Sequence, residues 1–328
     1  MSAALVVGVD AGATTTRCVV AALDGEVVGR GVAGGANRNS SGGEVSAALR
    51  AALAAALDTI DRTDEVGLGV VGAAGSAGAG RTAFRAAAER AWRAAGISGE
   101  LVTVTDIEVA YAAGTAEPDG VLLLSGTGAL AARFGDGVLR RRCDGYGWLL
   151  GDEGSAVWIG VGALRAVLAA LDGRGEPTTL VAEFSRHFEV GADTSESRAQ
   201  ALIAATFAVP PAALGRLAPF VSTAAEAGDP VAGRICAAAA DRLLHTFDSV
   251  EPPPAATVVL AGSVLLSSGP VSRVVRAGLL ARTGTEPRPA RDGAAGAAAL
   301  AVGRFTGAPV PPVVHTRLTG SPHFPGRG

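Results

Sequence analysis

Lysine is absent from this chain, whose 28 basic residues are all arginine. A Walker-A loop needs a lysine on the phosphates, a protein kinase needs a strand lysine, and Schiff-base chemistry needs a lysine nucleophile. All three mechanisms are therefore excluded. If this chain handles a nucleoside triphosphate, it must do so with backbone N–H groups, hydroxyls and a divalent cation.

Cysteine is scarce, since Cys18, Cys143 and Cys236 are far apart and form no C-x-x-C pair, zinc spacing or disulfide framework. This usage fits a reducing compartment, and we expect the protein to be cytoplasmic. No apolar run reaches the ~18 residues of a membrane span, and no basic region precedes the first apolar stretch. The net charge of −3 gives no electrostatic case for nucleic acid or an anionic membrane.

The chain is long and hydrophobic enough for two domains, since it has 328 residues, of which 48% are hydrophobic. Three strands open the sequence at residues 4–10, 16–23 and 26–33, and Asp24-Gly25 marks a hairpin turn between the last two. Helices and single strands alternate after them.

The second half repeats the pattern with strands at 121–125, 129–134 and 138–142, followed by helices, a buried strand at 258–261 and further helices. The fold class is therefore α/β with mixed sheets. The tail 309–328 is rich in proline and glycine, and we expect it to be irregular.

Each half begins with a strand that runs into a glycine-bearing turn. The first strand ends at Asp10, before Gly12-Ala13-Thr14-Thr15, and the second ends before Gly126-Thr127-Gly128. Glycine lets backbone N–H groups approach a polyphosphate closely, and an acid beside phosphates is typical of a Mg²⁺ ligand. The alternatives are a capping role for Asp10 and an ordinary hairpin turn after Ser125.

Asp106 closes another strand. A carboxylate at the carboxyl end of a strand in an α/β sheet faces the ligand crevice, where it can accept a proton from an attacking hydroxyl. The alternative is an N-cap for the helix that follows.

Residues 145–155 combine four glycines, two aromatic rings and two acids. Rings cover the apolar face of a sugar and carboxylates accept from its hydroxyls, so this segment predicts a sugar site. The alternative is a structured loop that caps the next helix. Cys143 is close enough to form a wall of such a pocket.

The segment Gly262-Ser263 follows the strand at 258–261. It would let an adenine ring lie against backbone; the alternative is a plain strand-to-helix turn.

Together these segments resemble the sugar kinase/Hsp70/actin superfamily, and within it the N-acetylglucosamine kinases of the BadF/BadG/BcrA/BcrD ATPase family, from Val6 to about Arg304. The resemblance implies two ribonuclease H-like (actin-like ATPase) domains with nucleotide and sugar in the cleft between them. It implies residues 1–114 as the first domain, 115–292 as the second, and a helix at 293–305 that packs back on the first.

The resemblance also implies roles for individual residues. Asp106 is the general base, and Asp10 holds Mg²⁺ directly or through water. The residues implied for ATP are Gly12, Ala13, Thr14, Thr15, Gly126, Thr127, Gly128, Gly262 and Ser263. Those implied for the sugar are Asn37, Asp106, Gly128, Cys143, Gly145, Tyr146 and Asp152. Asp144 and Tyr146 stand where the family often has Gly and Trp, and Ser263 replaces a second glycine.

The function implied is ATP- and Mg²⁺-dependent phosphorylation of an amino sugar, with N-acetylglucosamine 6-phosphate as the expected product. The alternatives are a kinase for glucosamine or another hexose, a sugar sensor without turnover, and an ATPase activator of a redox partner, which the cysteines disfavour. We expect a small-molecule sugar as the partner, no nucleic acid and no membrane, and we allow for a homodimer.

Overall fold

The computed structural model describes residues 4–12, 15–36, 45–58, 60, 63–73, 80–191 and 194–320. The contacts divide the chain into two compact units: Met1–Pro118 with Pro289–Gly328, and Asp119–Arg288. The assignment of residues 1–114 and 115–292 to two ATPase domains stays a prediction. No helix among the described residues is long and apolar enough to span a membrane.

The strands are β1 Leu5–Ala11, β2 Thr15–Ala22, β3 Val27–Gly34, β4 Val66–Ala73, β5 Glu100–Thr105, β6 Gly120–Ser125, β7 Ala129–Gly135, β8 Val138–Asp144, β9 Val258–Ala261 and β10 Arg288–Pro289. The helices are α1 Val45–Leu57, α2 Arg81–Ala94, α3 Asp106–Ala112, α4 Ala156–Leu171, α5 Leu180–His187, α6 Ser195–Phe207, α7 Ala218–Glu226, α8 Pro230–Asp248, α9 Ser263–Leu266, α10 Pro270–Thr283, α11 Gly293–Thr306 and α12 Pro312–Gly320. Short 3-10 segments lie at Thr63–Glu65 and Pro211–Leu217.

The sheet of the first unit has the order β3-β2-β1-β4-β5. Its first three strands are antiparallel, and β4 and β5 then run parallel to β1. The hairpin between β2 and β3 turns at Gly25, whose φ of +90° suits glycine. The mixed sheet expected from the hairpin and the later βα alternation is confirmed.

Small residues let helices lie close on both faces of this sheet. A Cβ added at Gly31 would come 2.0 Å from the carbonyl oxygen of Ala52 in α1, and one at Gly8 would come 2.1 Å from the nitrogen of Ala298 in α11. Ala52 and Ala56 of α1 and the alanines of α11 are therefore buried against strands.

The sheet of the second unit has the order β10-β9-β6-β7-β8. The strands β6, β7 and β8 are antiparallel and β9 runs parallel to β6, so the order read from β8 repeats that of the first unit. Its core is built from one sheet face and the helices α4 to α10, with Phe184 and Phe247 completely buried.

The expectation of an irregular tail at 309–328 is wrong for the part that the structure describes. Residues Pro312–Gly320 form α12, in which Leu318 is buried and the His315 imidazole Nε2 lies 2.7 Å from the carbonyl oxygen of Ala112. Proline at the first turn of a helix has a preset φ and needs no N–H partner, so Pro312 starts this helix instead of breaking it.

Candidate functional site

The first group of predicted site residues surrounds the carboxyl end of β1. Asp10 lies opposite Arg17 of β2 in the antiparallel register and beside Gly72 of β4. Just after this strand, Gly12 and Thr15 lie close together: the Gly12 N–H donates to the Thr15 carbonyl at 3.0 Å, and a Cβ at Gly12 would come 2.9 Å from that oxygen. Ala13, Thr14 and Asn37 lie outside the described residues.

Asp106 is the first residue of α3, directly after β5. The N-cap of that helix is Thr105, whose hydroxyl accepts from the Glu108 N–H while the Glu108 carboxylate accepts from the Thr105 N–H at 2.8 Å. The capping alternative for Asp106 is therefore excluded. Asp106 is partly buried and lies at the carboxyl end of a parallel strand, where α/β sheets bind ligands.

A third carboxylate, which sequence analysis did not single out, belongs to the same region. Asp292 is the N-cap of α11: one carboxylate oxygen accepts from the backbone of Ala294 and Ala295, and the other accepts from Arg30 at 2.9 Å. Its signal in the sequence is an aspartate directly before an alanine-rich run, which is typical of a helix start. The next residue, Gly293, lies against Asp10, since a Cβ there would come 2.2 Å from the Asp10 Oδ2.

The surroundings raise the pKa of Asp10 to about 6. Burial is the main cause; the guanidinium of Arg17 opposes it, and the negative charges of Asp106 and Asp292 add to it. Asp106 and Asp292 are thus close enough for their charges to repel that of Asp10, and a cation beside Asp10 would relieve that repulsion.

No group of three or more histidine, cysteine, aspartate or glutamate side chains is arranged to hold a metal ion within the part of the chain that the structure describes. A Mg²⁺ site does not require such a group, because Mg²⁺ is usually held by one or two carboxylates together with substrate phosphates and waters. Asp10 has the right chemistry for such a ligand.

In the second unit, the turns after β6 and β9 meet. Gly262 has a φ of +87°, and a Cβ on it would come 2.3 Å from the carbonyl carbon and oxygen of Ser125. The Gly126 N–H donates to the Gly128 carbonyl at 2.9 Å, and Thr127 between them is exposed. The two segments predicted separately for phosphates and for adenosine are therefore one continuous surface.

Ser263 also lines a cavity of about 250 Å³ inside the second unit, between α7, α9 and the start of α4. Hydroxyls and one acid contribute to its polar wall: Ser222, Thr223, Glu226, Ser263, Ser267 and Ser268. A small cavity beside two glycine turns, with hydroxyls in a partly apolar wall, can take part of a nucleoside.

Asp152, predicted for the sugar, is buried next to the β6–β7 turn. A Cβ at Gly128 would come 3.0 Å from its Oδ2. Burial raises the pKa of Asp152, as does the charge of Asp144, while backbone hydrogen bonds from Ala129 and Gly147 lower it. A buried aspartate next to glycine backbone can accept hydrogen bonds from a ligand hydroxyl.

The other residues of the predicted sugar loop differ in exposure. Tyr146 is 70% exposed and Trp148 47% exposed, whereas Cys143 is half-buried against the core of the second unit. The Ser125 hydroxyl donates to the Gly154 carbonyl at 2.9 Å, which ties the end of the loop to the β6 turn. Asp144, noted only as a departure from the family, proves to be the carboxylate around which this loop closes.

The sequence profile of the BadF/BadG/BcrA/BcrD ATPase family matches residues 7–301. The chain belongs to this family. Among curated proteins, its sequence is similar to an N-acetylmuramic acid/N-acetylglucosamine kinase of Clostridium acetobutylicum, with 33% identity over 53% of this chain and 57% of the relative. It is also similar to an N-acetyl-D-glucosamine kinase of Dictyostelium discoideum, with 30% identity over 55% of this chain and 59% of the relative. The matched region thus spans less than two thirds of each curated relative.

Two solved structures have a similar fold. A candidate N-acetylglucosamine kinase from Chromobacterium violaceum superposes with a TM-score of 0.73 and 25% identity, over 92% of this chain and 99% of that one. A second candidate N-acetylglucosamine kinase, from Porphyromonas gingivalis, has a TM-score of 0.63 and 19% identity, over 87% of this chain and 93% of that one. The expected two-domain α/β architecture is confirmed.

Proposed function

We propose that this member of the BadF/BadG/BcrA/BcrD ATPase family is an ATP-dependent sugar kinase that phosphorylates O6 of N-acetylglucosamine. The observation that carries the proposal is the position of Asp106. It lies partly buried at the carboxyl end of a parallel strand, and Thr105, not Asp106, caps the helix that follows. The names of the two curated relatives support the choice of an amino sugar.

In this mechanism Asp106 accepts the proton of the sugar hydroxyl. The hydroxyl oxygen forms a bond to the γ-phosphorus while the bond from that phosphorus to the β–γ bridging oxygen breaks, and ADP leaves. Phosphoryl transfer needs mainly alignment and neutralisation of charge, so a well-placed carboxylate and oriented N–H donors supply much of the effect.

On the ATP side, backbone N–H groups bind the phosphates in place of a lysine. In the Gly12–Thr15 and Gly126–Gly128 turns, N–H groups other than those of Gly12 and Gly126, which donate within their own turns, bind phosphate oxygens. Gly262 with Ser263 contacts adenosine at the cavity of the second unit. Asp10 holds Mg²⁺, which when bound neutralises charge on the phosphate oxygens. Asp292 fixes Arg30 and the start of α11, so that Gly293 lies against Asp10.

On the acceptor side, Asp152 accepts from sugar hydroxyls and Tyr146 covers an apolar face of the ring. Asn37, Gly128, Cys143 and Gly145 complete the predicted sugar contacts. The alternative acceptors are glucosamine, another hexose and N-acetylmuramic acid. The assay over several sugars described below distinguishes them.

The redox-activator alternative is opposed by the cysteines. Cys18 and Cys236 are buried, and burial raises the pKa of both thiols, that of Cys236 to about 11. Thiolates are the form that ligates iron, so these two side chains are poor cluster ligands.

The test of the proposed base is Asp106→Asn. An amide is isosteric with the carboxylate but cannot accept the proton, and a general base is worth about 10²–10⁴ in rate. We expect kcat to fall by about that factor while the affinity for ATP is kept, as measured by ADP release in a coupled assay and by nucleotide binding in a calorimeter.

The matched control is Asp64→Asn, which changes an exposed acid in the first turn of a 3-10 helix of the same unit. Its kcat should equal that of the wild type. If Asp106→Asn turns over at a near-normal rate, Asp106 is not the base.

The acceptor is identified by running the same assay over N-acetylglucosamine, N-acetylmuramic acid, glucosamine and glucose, with the position of the new phosphate determined by NMR. We expect the highest kcat/KM for N-acetylglucosamine and the phosphate on O6. Sugar binding without any turnover would instead favour the sensor.

A further inference from the structure

One carboxylate closes the predicted sugar loop at both ends. The Asp144 Oδ1 accepts from the backbone N–H groups of Gly145 and Asp152, and its Oδ2 accepts from the N–H of Glu153, each at 2.8 Å. Asp144 is itself only 7% exposed. A single side chain thus ties the first residue after β8 to the residues that precede α4.

The backbone of the loop is shaped to fit this carboxylate. A Cβ at Gly151 would come 2.3 Å from the Asp144 Oδ1, so only glycine lets the chain close over the oxygen. Asp144 and Asp152 have φ angles of +65° and +55°, a region that aspartate tolerates better than most residues. The three hydrogen bonds to the Asp144 carboxylate offset part of the cost of this strained conformation.

We propose that Asp144 is a positioning residue that fixes the carboxylate of Asp152 for the sugar. Asp144 contacts no substrate in this role; it acts through the N–H of Asp152 and that of Glu153. The inference rests on the proposed function, because it assumes that Asp152 binds the acceptor.

The contacts around Asp144 indicate that this residue holds the shape of the loop and does not act by its charge alone. The Arg142 guanidinium on the same strand donates to the carbonyls of Asp144 and Gly145, so it reinforces the start of the loop from the opposite side. Hydrogen bonds from N–H groups to a carboxylate are among the stronger ones in proteins. The arrangement therefore holds the start and the end of the loop in one fixed geometry.

Two substitutions separate the effect of the Asp144 carboxylate from that of the left-handed backbone at this position. Asp144→Gly suits the left-handed φ and removes the carboxylate, and Asp144→Asn keeps the shape but turns an N–H donor group toward backbone N–H groups. We expect both to raise the KM for the sugar about tenfold, equivalent to about 1.4 kcal/mol. The kcat at saturating sugar and the KM for ATP should stay close to the wild-type values, a split that a general loss of folding would not produce.

The matched control is Asp136→Gly. Asp136 also has a left-handed φ, of 55°, but it lies in the exposed β7–β8 turn of the same sheet and pairs with Arg140. Its sugar KM should not change. A sugar KM that is likewise unchanged in both Asp144 variants would overturn the inference while leaving the kinase assignment intact.

Hydrogen exchange tests the loop without any substrate. In the wild type, the amides of Gly145, Asp152 and Glu153 should exchange much more slowly than that of Leu149 in the exposed middle of the loop, and Asp144→Gly should remove this protection. Rapid exchange of the three amides in the wild type would overturn the inference. If the wild type phosphorylates no sugar, the proposed function fails, and the exchange data still decide whether Asp144 holds the loop.

Discussion

Buried carboxylates in this chain are held chiefly by backbone N–H groups. Asp144, Asp229 and Asp292 each accept two or more such bonds, and each stabilises the start of a helix or a loop end. Asp10 is different, because its surroundings disfavour the charged form. A buried carboxylate that accepts hydrogen bonds from N–H groups stabilises the fold. A carboxylate whose charged form is disfavoured by its surroundings is more typical of a site that binds a cation.

Asp229 provides a test at low pH. Burial opposes ionisation, but hydrogen bonds from Ala232, Thr179 and Thr178 outweigh it and lower the pKa of Asp229 to about 2. Because the folded pKa is below the usual 3.8, this carboxylate stabilises the protein above about pH 4, and the contribution is lost as the pH falls toward 2. The shift corresponds to about 2 kcal/mol.

The measurement compares the wild type with Asp229→Asn by urea unfolding at several pH values. The amide keeps an oxygen for the cap of α8 but cannot accept from Thr178 and Thr179, which donate to Oδ2 at 2.7–2.9 Å. We expect the variant to be about 2 kcal/mol less stable at pH 6 and the difference to shrink below pH 4. A difference that does not depend on pH would contradict the assignment.

Gly293→Ala tests the support of Asp10. The new methyl group would need the space of the Asp10 carboxylate, whose Oδ2 and Cγ lie 2.2 and 2.7 Å from the added Cβ. Small displacements in an active site cost about 10²-fold in rate, so we expect a loss of that order in kcat. Gly303→Ala, on the same helix, meets its nearest atoms at 3.3 Å and should keep its kcat. Equal activity of the two variants would contradict the proposed role of Asp10.

At the scale of single elements, glycine decides how closely helices approach their neighbours. In α4, a Cβ at Gly160 would come 2.3 Å from the Leu214 carbonyl oxygen, whereas the nearest atom to a Cβ at Gly162 is 3.8 Å away. The two positions share a helix and a residue type but differ in the space around them.

We therefore expect opposite effects on stability from the same substitution. Gly162→Ala should stabilise the protein by about 0.5–1 kcal/mol, because alanine loses less backbone entropy in a helix. Gly160→Ala should destabilise it by about 1–3 kcal/mol, because the segment Pro211–Leu217 must move away. Thermal unfolding of the two variants measures both, and a stabilised Gly160→Ala would contradict the close packing.

Elements with strong local signals could be predicted from the sequence. The strand Val258–Ala261 was predicted at its observed bounds, and the helix predicted at 293–305 extends over Gly293–Thr306. A run of β-branched residues or of alanine bounded by turn residues is local information. The helix Pro312–Gly320 departs from the irregular tail that proline and glycine predict, because burial of Leu318 holds it in place.

At the scale of the whole molecule, the two sheets have the same strand order although their sequences share only a pattern. The candidate site residues at strand ends could be predicted, because strand ends are visible in a sequence. The approach of Asp292 and Gly293 to Asp10 could not, because it depends on the return of a distant helix to the first sheet. The closure of a loop on Asp144 was missed for a related reason, since it depends on φ angles that composition does not show.

Nucleotide binding should stabilise the whole protein in a Mg²⁺-dependent way. A ligand that binds only the folded state at 100 times its Kd adds about 2.7 kcal/mol, and a gain of 1 kcal/mol shifts the Tm of a chain of this size by roughly 2 °C. We expect a non-hydrolysable ATP analogue with Mg²⁺ to raise the Tm by about 5 °C.

The Tm shift should be smaller with EDTA. The variant Asp10→Asn should lose the Mg²⁺-dependent part of the shift, and the control Asp64→Asn should keep it. A Tm that is the same with and without Mg²⁺ would show that Asp10 holds no metal beside the nucleotide, and its negative charge would then need another explanation.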